Sequence, residues 1–150
     1  MFAVLIVAIG LTATLWALAA LHVYWGDGGL WPEKDPVALA RTVVGAPGVT
    51  QMPSRTACFA VALALFIAGL WPLDMTGVVP VFVSIGLSVL AGYVLAAVFL
   101  VRGVAAYLPI FRKHFPEEPF ATNDRRLYGP LCLLIGAGFL FLLSFGWSGI

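Results

Sequence analysis

Charge is what this chain has least of. Eight Lys and Arg and seven Asp and Glu make up 10% of 150 residues, against about 25% in soluble globular proteins. So few charges cannot coat a water-facing surface. A hydrophobic content of 62% and a mean hydropathy of +1.04 place the chain in a membrane. Cysteine and histidine are also scarce. Cys58 and Cys132 form no CxxC pair and no zinc-ligand spacing, and with only His22 and His114 beside them a metal site needs all four to converge. No metal, haem or other cofactor is therefore expected. The chain lacks a Ser-His-Asp arrangement, a nucleotide fingerprint and any nucleic-acid module, and Gly26-Asp27-Gly28-Gly29 reads as a turn, not a phosphate loop. No acid or base lies at mid-depth in an apolar stretch, where ion paths and proton relays place them. No Lys or Arg precedes the first apolar run, which is longer than a signal-peptide core and reads as an uncleaved span.

What the chain does have is four apolar stretches, at about residues 2–24, 56–71, 78–101 and 128–147. As a helix, the first reaches roughly 34 Å, enough for a hydrocarbon core of ~30 Å. The fold class expected is all-α: an integral-membrane, antiparallel bundle of four transmembrane helices forming a single domain, with structured cytoplasmic loops. Small residues recur at spacing four: Gly10 with Thr14, Ala13 with Ala17, Ala60 with Ala64 and Ala68, and Ser84 with Ser88, Gly92 and Ala96. Such rows let helix backbones approach where no hydrophobic force drives them together. In the first long loop Asp35 reads as an N-cap, Pro36 as the first helical residue and Gly45 as the stop of a short helix. Trp71-Pro72 marks one membrane interface, and Thr122 is a plausible cap for the last helix.

With four spans, the first and third loops share a side and carry all eight Lys and Arg. That asymmetry predicts a cytoplasmic face for both loops and a bacterial inner-membrane, multi-pass protein with both termini outside. The two thiols then lie near a reducing compartment and are expected to be free.

The stretch 102–132, RGVAAYLPIFRKHFPEEPFATNDRRLYGPLC, holds five of the eight basic residues and three of the seven acids. Together with HVYWGDGGLWP at 22–32 it carries a resemblance. His22-x-Tyr24-Trp25 with Gly28-Gly29, and Asp124-Arg125-Arg126-x-Tyr128 with Pro130-Leu131-Cys132, resemble a family of small bacterial integral membrane proteins classed as domain of unknown function 3995. The resemblance spans nearly the whole chain and implies four helices and a bacterial inner membrane. It brings no activity, cofactor or catalytic residue.

Topology assembles one candidate layer at the cytoplasmic interface. His22, Tyr24, Trp25 and Asp27 end the first span, Tyr107 and Arg112 follow the third, and Asp124, Arg125, Arg126 and Tyr128 open the fourth. Arginine clusters bind phosphate or carboxylate in bidentate fashion, and neighbouring aromatics can receive an acyl or isoprenoid stem. The plain alternative is an aromatic belt with Asp124 paired to a neighbouring Arg. Three readings stay open. The first is a non-enzymatic accessory subunit or lipid-interacting scaffold, with membrane lipids, another membrane protein or a second copy as partner. The second is an interfacial enzyme acting on an anionic lipid or quinone, with His22 as base and the arginines as clamp. The third is a transporter or channel component. No catalytic set emerges from the residues, which favours the first.

Overall fold

The computed structural model describes residues 2–79 and 84–146. Its elements are α1 (Phe2–Gly26), α2 (Pro36–Val43), α3 (Arg55–Met75), α4 (Ile85–Ala105), α5 (Pro109–His114), α6 (Phe120–Asn123), a π turn (Asp124–Tyr128) and α7 (Gly129–Phe145), with no strand among the described residues. The last three run on as one helix, Phe120–Phe145, which with α1, α3 and α4 makes four helices long and apolar enough to cross a membrane.

Packing couples the helices in two antiparallel pairs, α1 with α3 and α4 with α7, joined chiefly where α1 meets α7. Ala8, Leu11, Leu15, Ala68, Met75, Ala96, Ile135, Phe139 and Leu142 form the buried core between them. Close approach is made possible by absent side chains. A Cβ at Gly69 would stand 2.5 Å from Cδ1 of Trp16, and one at Gly136 would stand 2.6 Å from Cγ of Leu100. Polar groups inside the pairs are spent on backbone: Thr12 Oγ1 donates to Gly69 O at 2.8 Å, and Trp16 Nε1 to Phe66 O at 3.1 Å. Between lipid chains, where no water competes, such bonds lock one helix against the next. The α3–α4 seam is looser. It leaves an apolar groove of about 490 Å³ floored by Ala68, Trp71 and Leu95. At one end Trp71 Nε1 closes it by donating to Ser88 O at 3.1 Å, while the Ser88 hydroxyl donates to Asp74.

Several boundaries differ from expectation, each for a local reason. The second span is longer at both ends. Ser54 caps it, its Oγ accepting from Ala57 N, and Pro72 lies inside the helix instead of ending it. Proline there withholds one amide from the ladder. Thr76 Oγ1 takes up the neighbouring carbonyls of Pro72 and Leu73 at 3.2 and 3.0 Å. The third helix starts at Ile85, seven residues beyond the expected Val78, because Gly77 takes a φ of +70° in the turn and Ser84 supplies the N-cap. Residues 80–83 of that expected span, and its neighbour's end at Trp147, lie outside the described residues. The fourth helix starts at Phe120, so Thr122 is inside it and is no cap; Thr122 N and Oγ1 instead donate to Glu118 at 3.1 and 3.0 Å. Of the small-residue rows, Ser88, Gly92 and Ala96 are buried as a packing face with Ser84 exposed at its start, whereas Gly10, Ala13, Ala17, Ala60 and Ala64 are exposed and only Ala68 at the end of its row reaches the core. The outward rows lie opposite the buried Thr12, Leu15, Ala62 and Gly69, which make the real α1–α3 contact.

Candidate functional site

The loop end of the bundle is built by caps. Asp35 accepts from Val37 N and Ala38 N at 2.9 and 3.3 Å, Pro36 opens α2, and Gly45 ends its turn at a φ of +71°. α2 is then tied down onto the start of the fourth membrane helix. Tyr128 OH donates to Thr42 O at 3.1 Å, Glu117 N to Gly45 O at 3.3 Å, and Gly48 N to Glu117 Oε1 at 2.9 Å. Thr42 Oγ1 donates in turn to Glu33 Oε1 at 2.8 Å. The Phe120 ring presses on Gly45, where an added Cβ would meet it at 2.1 Å. Gly45→Ala should therefore cost about 1–2 kcal/mol for the left-handed backbone alone and unseat Phe120, an outcome read as faster tryptic cleavage at Arg41 in detergent.

Beneath this cap lies the one buried ion pair among the described residues. Arg102 Nη2 donates to Asp124 Oδ1 at 2.5 Å, and the Asp124 side chain is only 4% exposed. The Arg102 guanidinium lies 5.1 Å from the centre of the Phe111 ring, and its Nη1 is buried with no hydrogen-bond partner. The ring's face stabilises the cation as a whole. From Phe111 a chain of rings continues through Phe115 and Phe120 to Tyr128, with centroids 4.6, 6.1 and 5.9 Å apart. The pair sits beside a close approach of the two helices: Gly129 follows the π turn, and a Cβ on it would stand 2.8 Å from Cβ of Ala106. The π turn has a cause in the sequence. Pro130 cannot donate, and its ring would crowd the carbonyl four residues back in a regular helix. The wider turn, closed by Gly129 N–H on Asp124 O, avoids that contact.

The ten residues expected in one layer fall into two groups. His22, Trp25, Tyr24 and Asp27 end α1 beside the start of α3. His22 Nδ1 donates to Leu18 O at 2.8 Å and its ring meets Trp25 edge-on at 5.1 Å. Trp25 Nε1 donates to Trp31 O at 2.7 Å, and Asp27 pairs with Arg55 at 2.7 Å. Tyr24 packs over Gly29, where a Cβ would meet its ring at 2.3 Å. In the second group Asp124 pairs with Arg102, Tyr107 OH donates to Arg125 O at 3.0 Å, and Arg125 Nε to Ala121 O at 3.3 Å. Tyr128 joins this group, and Arg112 and Arg126 are exposed. Among the described residues no hydrogen bond, ion pair or ring contact links the two groups. His22 is therefore not oriented by Asp27 or by Asp124.

Arg102 is the residue that sequence reasoning missed. It reads as a span-end cation with its stem along the helix, whereas it turns inward to Asp124. A signal was available: Gly103 beside Arg102 and Gly129 near Asp124 mark two helix faces without side chains, the condition for bringing a short carboxylate and a long cation together.

Comparison with known proteins adds the family. The family described as Protein of unknown function (DUF3995) matches residues 15–139. The chain belongs to it. The matched region runs from Leu15 in α1 to Phe139 in α7 and so contains α2, both groups of the loop end and the Arg102–Asp124 pair. Neither the curated proteins nor the solved structures supply a match.

Proposed function

We propose that this member of the family is a non-enzymatic scaffold or accessory subunit of a bacterial inner membrane. In this reading the capped, basic end faces the cytoplasm and the outer ends of α1 and α7 lie on the opposite side. One observation carries it: the side chains able to do chemistry at the loop end are spent on holding the fold. His22 bonds a carbonyl of its own helix, Asp124 neutralises Arg102, and Tyr107 and Tyr128 donate to backbone carbonyls. At His22 the Nδ1 bond to Leu18 O and the edge contact with Trp25 hold the ring in its own helix, and among the described residues no second catalytic side chain is hydrogen-bonded to it. The topological part rests on the eight Lys and Arg, all on the side of α2 and α5.

The test is complementation of a strain lacking the gene by a His22→Ala/His114→Ala variant. A scaffold complements fully whenever the variant reaches parental levels in the membrane. The Leu18 and Ile110 carbonyl bonds are lost, at about 1 kcal/mol each, together with the edge contact of His22 on Trp25. Failure to complement at a normal membrane level would overturn the reading. A carboxy-terminal fluorescent-protein fusion that lights up in the cytoplasm would overturn the orientation.

A further inference from the structure

Six of the eight basic side chains at the loop end have no acid partner. Arg55 is paired with Asp27 and Arg102 with Asp124, while Lys34, Arg41, Arg112, Lys113, Arg125 and Arg126 make no ion pair among the described residues. The remaining loop-end carboxylates are taken up by neutral donors: Glu33 by Thr42, Asp35 by the start of α2, Glu117 by Gly48 N and Glu118 by Thr122. These unpaired cations have two different surroundings. Lys34 precedes α2 and Arg41 lies in its last turn, where it shares a polar cleft with Glu33, Asp35 and Glu118. Arg112 and Lys113 on α5, and Arg126 in the π turn, are exposed with exposed apolar neighbours: Leu108 at 45%, Ile110 at 66% and Leu127 at 59%. α5 buries no residue of its own. It is nonetheless held beside the π turn, through the Tyr107–Arg125 bond and through Phe111 against Arg102.

This placement has a physical reading. A short helix that leaves a membrane span and packs on the protein through Phe111, with bare cations and bare aliphatic side chains on the rest of it, matches the boundary between headgroups and acyl chains. We propose that α5 and the π turn form a binding site for the phosphate-bearing headgroup of an anionic phospholipid. Arg112, Lys113 and Arg126 meet the phosphate, and Leu108, Ile110 and Leu127 lie against the adjoining acyl chains. The guanidinium groups supply bidentate donors and Lys113 a point charge. Arg125 is left out because its Nε is engaged with Ala121 O, and the His22 group because it belongs to the other corner. The inference deepens the scaffold reading by naming the lipid class held at its cytoplasmic rim.

The experiment is native mass spectrometry of the full chain released from nanodiscs of equimolar phosphatidylglycerol and phosphatidylethanolamine. The parent protein should retain phosphatidylglycerol preferentially. An Arg112→Gln/Lys113→Gln/Arg126→Gln variant should retain roughly a hundredfold less of it, with phosphatidylethanolamine unchanged. A Lys34→Gln/Arg41→Gln variant removes two charges at α2, outside the proposed site, and should retain the parental amount. Equal retention by the triple variant, an equal loss in the double variant, or no preference in the parent would each overturn the site. The histidine complementation test reads the scaffold proposal separately, so either can fail alone.

Discussion

Asp124→Ala produces the largest loss of stability expected from any single change at the loop end, about 3 kcal/mol or more. The Asp124 side chain is 4% exposed and sits on a cation whose side chain is 34% exposed. Removing it leaves Arg102 half-enclosed with both Nη groups unpaired, under Phe111 and against α7. An uncompensated charge in that position has two poor choices: to stay in a low-dielectric layer, or to break out through the ring chain that links α5 to α6. Replacing both partners should be far milder. Arg102→Met/Asp124→Leu removes both desolvation costs and keeps the volume filled, and such exchanges are often close to neutral. Thermal unfolding in mild detergent, followed by circular dichroism, makes the comparison. A shift below about 2 °C for Asp124→Ala, no more than about 1 kcal/mol for a chain of this size, would show that the pair does not hold the helices together.

Gly103→Ala and Gly10→Ala are expected to have opposite signs, although both put a methyl group on a glycine in a membrane helix. At Gly103 the new Cβ would stand 2.7 Å from Cδ2 and Cγ of Leu133 and 2.9 Å from its backbone nitrogen. A side chain can turn away, but a backbone atom in the next helix cannot. α4 and α7 must separate, at about 2–3 kcal/mol, and the separation also draws Arg102 off Asp124. At Gly10 nothing lies within 4 Å of the added carbon. Alanine there gains up to ~1 kcal/mol of helix propensity. Unfolding midpoints of the two variants in the same detergent test this. Equal effects would mean that glycine matters here only through propensity, not through contact.

Much of the architecture is legible before any coordinates. The scarcity of charge, four apolar stretches and eight cations confined to two loops lead to a four-helix membrane bundle with a basic end. Asp35, Pro36 and Gly45 delimit α2 because capping and backbone chirality act over a few residues. What escapes is what depends on a second helix. Pro72 reads as an interface marker from its own side chain, yet it is accommodated within α3, with the nearby carbonyls served by Thr76 Oγ1 and, at Gly69, by Thr12 from α1. The rows at Gly10 and Ala60 look as good for packing as the row at Ser88, since spacing alone does not say which face another helix covers. The candidate layer divides for a related reason. Depth in a membrane follows from topology, but position around the bundle follows from pairing. α1 with α3, and α4 with α7, put His22 and Arg102 at different corners.

The wide turn between α6 and α7 also sets the phase of the fourth membrane helix. In an unbroken α-helix Asp124 and Ile135, eleven residues apart, fall almost on one line, since three turns take about 10.8 residues. That line would carry a carboxylate along the same face as Ile135, Phe139 and Leu142, which fill the core. The π turn holds one residue more than a regular turn and rotates the upstream segment by roughly 100° relative to the downstream one. Asp124 can then meet α4 while the apolar row keeps its own azimuth. The segment 124–128 thus behaves as an accommodated single-residue insertion. A one-residue deletion there would bring the two halves back into step and swing the carboxylate into line with the buried apolar row.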